Sequence, residues 1–125
     1  MIAADSSSVI AYLQGEISPD TDAIDEALAA QEFALPPPVL VELLSMSAGD
    51  PLYSAMLGRS TLLTLTPGYW LRARDTRILV RSMGLKAKLA DTLIAQCCID
   101  ADVPLIARDI DFRHFAQWCG LKLAL

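Results

Sequence analysis

Five carboxylates stand at turning points of an otherwise apolar chain: Asp5, Glu42, Asp91, Asp109 and Asp111. Asp5 separates Met1-Ile2-Ala3-Ala4 from Ser6-Ser7-Ser8, and Glu42 interrupts the apolar run from Val39 to Leu44. Asp91 opens Thr92-Leu93-Ile94-Ala95, while Asp109 closes Pro104-Leu105-Ile106-Ala107-Arg108. A charge in such a run is costly if buried without a partner. Carboxylates drawn from distant segments into one cleft repel unless they are protonated or bridged by cations. Hard divalent ions that prefer oxygen ligands, Mg²⁺ or Mn²⁺, would bridge them. The chemistry expected is metal-dependent hydrolysis, with Asp5, Asp91 and Asp109 holding the ion and Glu42 a ligand or a group that positions water. Asp111 would reach the metal through water or cap the helix that follows it. Plainer uses exist: Asp5 and Asp91 could cap helices, although Ser6 to Ser8 could cap the first one and free Asp5, and Glu42 could face solvent.

The elements that must position these acids alternate between strand and helix. Ile2–Ala4 reads as a strand and Ser6 to about Leu13 as a helix, with serine N-caps. After the loop from Gly15 to Pro19, Asp20 or Thr21 should cap a helix to about Ala30. Phe33–Leu35 is a strand stopped by Pro36-Pro37-Pro38, and Pro38 suits the first turn of the helix that carries Glu42 to about Met46. Asp50-Pro51 marks a turn before a helix from Leu52 to Leu57. Thr61–Leu65 is β-prone, Tyr69 to Met83 is a helix ended by Gly84, and Asp91 to Asp100 is a helix apolar nearly all round. Val103–Ala107, Phe112 to Trp118 and Leu121–Leu123 read as strand, short helix and last strand. Few hairpin signals occur. The expected fold class is therefore α/β, one domain over residues 1–125, with a mostly parallel sheet flanked by helices. In such folds the ligand crevice lies beyond the carboxyl ends of the strands, which is where Asp5 and Asp109 fall.

Composition narrows the field. The chain has 125 residues, 54% of them hydrophobic, enough for a substantial core without staples. No apolar run reaches the ~18 residues of a membrane span, and the start lacks the basic region of a signal peptide. Cys97, Cys98 and Cys119 suit a reduced cytoplasm, having neither the number nor the spacing of a disulfide framework or zinc site. His114 is the one histidine, so neither zinc ligation nor a Ser–His–Asp or Cys–His nucleophile is supported.

The net charge of −5 is unevenly spread. Residues 1–58 hold nine acids and no Lys or Arg; residues 59–125 hold all ten basic residues against six acids, a net of +4. A polarised protein of this kind can still bind a polyanion. On the helix from Tyr69, Arg74, Arg77 and Arg81 fall within roughly 60° of one another and are candidate nucleic-acid contacts, as is Arg108. Trp70 and Trp118 could stack on bases, with core packing the plainer use of both.

Four segments in order, Asp5-Ser6-Ser7, Pro38 to Leu44 around Glu42, Ala90 to Ala95 around Asp91, and Arg108-Asp109-Ile110-Asp111-Phe112, resemble a PIN-domain ribonuclease. In particular they resemble the VapC-type toxins of bacterial toxin–antitoxin pairs, from Ile2 to about Leu123. The resemblance implies an RNA substrate, cleavage leaving a 5′-phosphate, a homodimer, and inhibition by a cognate antitoxin that blocks the acidic pocket. It also implies that Ser7 orients a carboxylate or bound water. One departure is Ala107, where family members often carry a hydroxyl two positions before the fourth acid. Two alternatives stay open: a receiver-like signalling domain, which would want adjacent acids after the first strand, and a catalytically inactive PIN-like interaction module.

Overall fold

A computed structural model describes residues 1–46 and 49–125. In chain order its elements are β1 (Ile2–Ala4), α1 (Ser6–Leu13), α2 (Pro19–Ala29), β2 (Phe33–Leu35), α3 (Pro37–Met46) and α4 (Pro51–Gly58). There follow β3 (Thr61–Leu62), α5 (Tyr69–Ser82), α6 (Leu89–Ala101), β4 (Leu105–Ile106) and α7 (Phe112–Trp118). The strands form one parallel sheet in the order β3-β2-β1-β4. Ala3 pairs with Ala34 on one side and Leu105 on the other. The expected α/β class and parallel sheet are present.

Helices flank this sheet, and β1, β2 and β4 carry continuous apolar residues without alternation, whereas β3 at the edge is exposed. Ala3, Ala4, Phe33, Ala34, Leu35, Leu105 and Ile106 are all buried. Small alanines in the central strand let Val9, Val39 and Ile94 approach the sheet closely within the same core. Pro37 and Pro38 occupy the first two positions of α3, where a missing N–H loses nothing. Gly68 precedes α5 with φ +84°, and a side chain there would collide with the Arg72 guanidinium at 2.8 Å.

Several boundaries differ from the sequence reading. The capping of α2 falls to Ser18, whose main-chain N–H is accepted by Thr21 Oγ1 at 2.9 Å, so the helix starts earlier than Asp20 or Thr21 would place it. Helix α6 likewise begins at Leu89, which puts Asp91 inside the first turn. β3 and β4 are shorter than the apolar runs that suggested them. The final strand is reduced to one bridge, Leu105 to Leu123, held by Leu105 N–H on Lys122 O at 2.8 Å and Ala124 N–H on Leu105 O at 2.9 Å. Apolar composition reports burial, while a ladder also needs a neighbour of matching length.

The strand order creates a switch point. Successive strands step from β1 to β2 to β3, then the chain crosses back and adds β4 on the other side of β1. Ligand crevices of open parallel sheets form where that order reverses, at the carboxyl ends of the strands. Here that place is the gap between the ends of β1 and β4.

Candidate active site

Asp5 leaves β1 at the switch point and is 4% exposed. It is itself the N-cap of α1: Oδ1 accepts the Ser8 N–H at 3.1 Å, and Oδ2 accepts the Ser7 hydroxyl at 2.9 Å. The serines therefore do not replace it as cap, because only Asp5 has the extended backbone that aims a side chain at the open N–H groups of the first turn. Burial raises its pKa against the opposing pull of the Ser8 N–H, the Ser7 hydroxyl and the Arg108 main-chain N–H. Of the two partners expected for Ser7, a carboxylate or a bound water, its hydroxyl meets a carboxylate, that of Asp5.

Asp91 lies in the first turn of α6, where unpaired N–H groups favour a negative charge. Its Oδ2 is nevertheless buried with no hydrogen-bond partner. Its pKa is pushed up to about 6, chiefly by burial and then by Asp109, with smaller contributions from Asp5 and Asp111 and an opposing one from Lys88. Four carboxylates from three distant segments thus share one electrostatic neighbourhood. Glu42 comes from α3, where its Oε1 accepts the Ser6 hydroxyl at 2.8 Å, which ties it to the residue after Asp5.

Asp109 and Asp111 divide their work differently from the helix-cap expectation. Asp111 stands at the N-cap position of α7 in helical conformation, and its side chain makes no capping bond. Asp109 Oδ1 instead accepts the Asp111 N–H at 2.9 Å, closing the turn that leads into the helix.

Among the described residues, no three His, Cys, Asp or Glu side chains stand close enough together to enclose a metal ion. Asp5 and Asp109 each accept hydrogen bonds from local donors. Two features still suit a hard cation: the orphaned Asp91 Oδ2, and the elevation of its pKa by burial first and by neighbouring carboxylates after it.

The basic residues separate into two groups. Arg74, Arg77 and Arg81 line one groove of about 700 Å³ between α5 and α6, with Trp70, Leu89 and Thr92. Thr92 follows Asp91 in α6, but none of Asp5, Glu42, Asp91, Asp109 or Asp111 lines the groove. Arg74 pairs with its neighbour Asp75 at 3.0 Å, and Arg77 donates to Ala87 O at 2.8 Å. Trp70 is 65% exposed and Trp118 is also exposed, so neither packs in the core. Arg108 does not join the groove. Its guanidinium is bound to Glu16, Ser18 and Asp20, which leaves it poorly placed for the RNA contact expected of it.

The PIN domain family matches residues 2–117. This chain belongs to the PIN-domain family. The fold of this PIN domain is similar to that of VapBC2 from Rickettsia felis, solved bound to a DNA fragment from its promoter. That comparison has a TM-score of 0.79 and 17% identity, covering 98% of this chain and 97% of the other. FitAcB from Neisseria gonorrhoeae is similar with a TM-score of 0.72 and 15% identity, covering 98% and 96%. No curated protein gives a significant sequence match. With the family placed, a receiver-like signalling domain is no longer a reading of this chain.

Three participants in the PIN domain's site escaped the sequence reading. Ser6 was read only as a cap, yet it meets Glu42 across 36 positions. Lys88 lowers the pKa of Asp91, and its signal was visible as a base three residues before an acid on one helix start. The Glu16-Ser18-Asp20 turn that receives Arg108 lies about 90 residues away in the chain, and no local pattern announces it.

Proposed function

We propose that this PIN domain is a Mg²⁺- or Mn²⁺-dependent endoribonuclease, the toxin of a toxin–antitoxin pair, working as a cytoplasmic homodimer. The observation that carries the reading is Asp91 Oδ2, buried without a partner where Asp5, Asp109 and Asp111 also press on it. Asp5, Asp91 and Asp109 would hold the cation, and Asp111 would reach it through water. Bound there, the metal supplies a Lewis acid for the phosphoryl oxygens and lowers the pKa of an attacking water. Ser7 keeps Asp5 in one rotamer, and Ser6 steadies Glu42 at the rim to orient that water. Arg74, Arg77 and Arg81 would take phosphates of single-stranded RNA along the groove, with Trp70 available to a base. The resemblance to VapC-type toxins over nearly the whole chain, with the fold shared with VapBC2, supports a cognate antitoxin that covers the acids.

An inactive PIN-like interaction module is the second reading, favoured by the local donors that already engage Asp5 and Asp109. One experiment separates them. RNA incubated with the purified protein and Mg²⁺ or Mn²⁺ should yield new 5′-phosphate ends, absent with chelator and with Asp5→Asn. Uncut RNA at saturating metal would leave the interaction module as the reading.

A further inference from the structure

Arg108 sits between the last strand and the acid that follows it, and its two ends do different things. Its main-chain N–H faces the Asp5 carboxylate. Its side chain turns away and fills the mouth of the α1–α2 turn. Nη1 donates to Glu16 Oε2 at 3.0 Å, Nη2 to Ser18 Oγ at 3.0 Å and Asp20 Oδ1 at 3.1 Å, and Nε to Asp20 Oδ2. The fork on Asp20 is two-pronged, a geometry that fixes direction as well as distance. Asp20 is well shielded, its side chain 13% exposed, and Ser18 Oγ also donates to it. Just upstream, Ile106 O accepts the Asp5 N–H at 2.9 Å, and just downstream Phe112 is buried in the core. The short segment that bears Asp109 is therefore pinned at three points, a main-chain hydrogen bond, an apolar side chain in the core and the polar grip of the Arg108 side chain.

We propose that Arg108 is a positioning residue: by gripping Glu16, Ser18 and Asp20 it holds the β4–α7 loop so that Asp109 faces Asp5 and Asp91. The inference rests on the metal-site reading above and deepens it. It also gives the unpaired acidity of the first 58 residues a use, since Glu16 and Asp20 anchor a base from the other half of the chain. An arginine that contacted RNA from this place would first have to break all of these bonds. A lysine could reach one acid but could not reproduce the fork.

The test compares Arg108→Gln, Asp20→Asn, their double variant, Arg108→Lys and Glu16→Gln in the full chain. Mn²⁺ affinity is read by calorimetry, RNA affinity by binding in chelator, and kcat and KM by cleavage. Arg108→Gln and Asp20→Asn should each weaken Mn²⁺ binding by about 10-fold, the scale of an outer partner of a metal ligand. Their double variant should be no worse than either, because both break one contact. RNA affinity in chelator should hold, kcat should fall more than KM rises, and Arg108→Lys should recover part of the loss. Glu16→Gln, at the more exposed anchor, should fold normally and show a smaller loss in the same direction. Unchanged Mn²⁺ affinity in the variants overturns the positioning role alone, as do additive losses. Loss of metal-free RNA binding in Arg108→Gln but not Asp20→Asn overturns it in favour of direct RNA contact. A wild-type protein that binds no Mn²⁺ overturns the metal-site reading, and this inference with it.

Discussion

Asp5 and Asp91 on one side, Asp20 and Asp100 on the other, are the same side chain in two electrostatic situations. Asp100 receives Arg72 through Nε at 3.1 Å and Nη2 at 2.7 Å, together with Gln96 Nε2 at 2.8 Å. Its pKa is lowered, chiefly by that arginine, and Asp20 is lowered chiefly by Arg108. Asp5 and Asp91 are raised, chiefly by burial, and no arginine or lysine forms an ion pair with either among the described residues. An acid whose charge is answered inside the fold supports the fold. One whose charge is buried with no basic partner, as Asp5 and Asp91 are, is held there at a cost in stability, the situation in which functional acids are often found.

The widest gap between the two pairs should appear in catalysis. Asp91→Asn should reduce RNA cleavage by more than the roughly 100-fold that an outer partner of a metal ligand can cost. Its melting temperature in chelator should be unchanged or higher, because a repulsive charge is gone. Rate measurement beside a thermal melt checks both, and a variant that melts early would return Asp91 to the class of Asp100. The next largest effect concerns the fourth acidic position. Asp109→Asn should lower Mn²⁺ affinity by about 10-fold or more, and Asp111→Asn by less, because Asp111 acts through water. Calorimetry that shows the reverse order would exchange their roles.

On the paired side, Asp100→Asn should lower the melting temperature by a few degrees, on the order expected for a chain of this size, while metal-induced stabilisation survives. Loss of that stabilisation would erase the contrast. Replacing Arg74, Arg77 and Arg81 with Gln should flatten the salt dependence of RNA binding, by up to about 2 in the logarithmic slope for three single-strand phosphate contacts. An unchanged slope would leave the groove to another ligand. The smallest effect is a pH slope. The folded-state pKa of Asp91, about 6, exceeds its ordinary 3.8, so the folded chain binds that proton more tightly. The resulting stability is complete below about pH 4 and lost as pH rises through about 6. In chelator, wild type should therefore lose melting temperature relative to Asp91→Asn across that window, and parallel curves would contradict the raised pKa.

What could be read in the sequence followed from local rules. Strand–helix alternation, the parallel sheet, the acids at strand ends and the PIN-domain resemblance depend on periodicity, turn residues and order along the chain. Helix existence was legible for the same reason, as for α5, where Tyr69 to Met83 was expected and Tyr69–Ser82 is found. Helix starts were less so: Ser18 and Asp5 cap because of their own backbone conformations, which several nearby polar residues could equally have suggested. Tertiary structure alone decided the partners. Composition offered Arg108 to RNA and Trp70 to the core, yet one is bound by the α1–α2 turn and the other lies open beside the arginines. A long polar side chain can reach whatever the fold brings within several ångströms, and the fold brings together residues some 90 positions apart. The same distance rule governs Asp91: only the fold brings it within the electrostatic reach of Asp5 and Asp109, residues far from it in the chain.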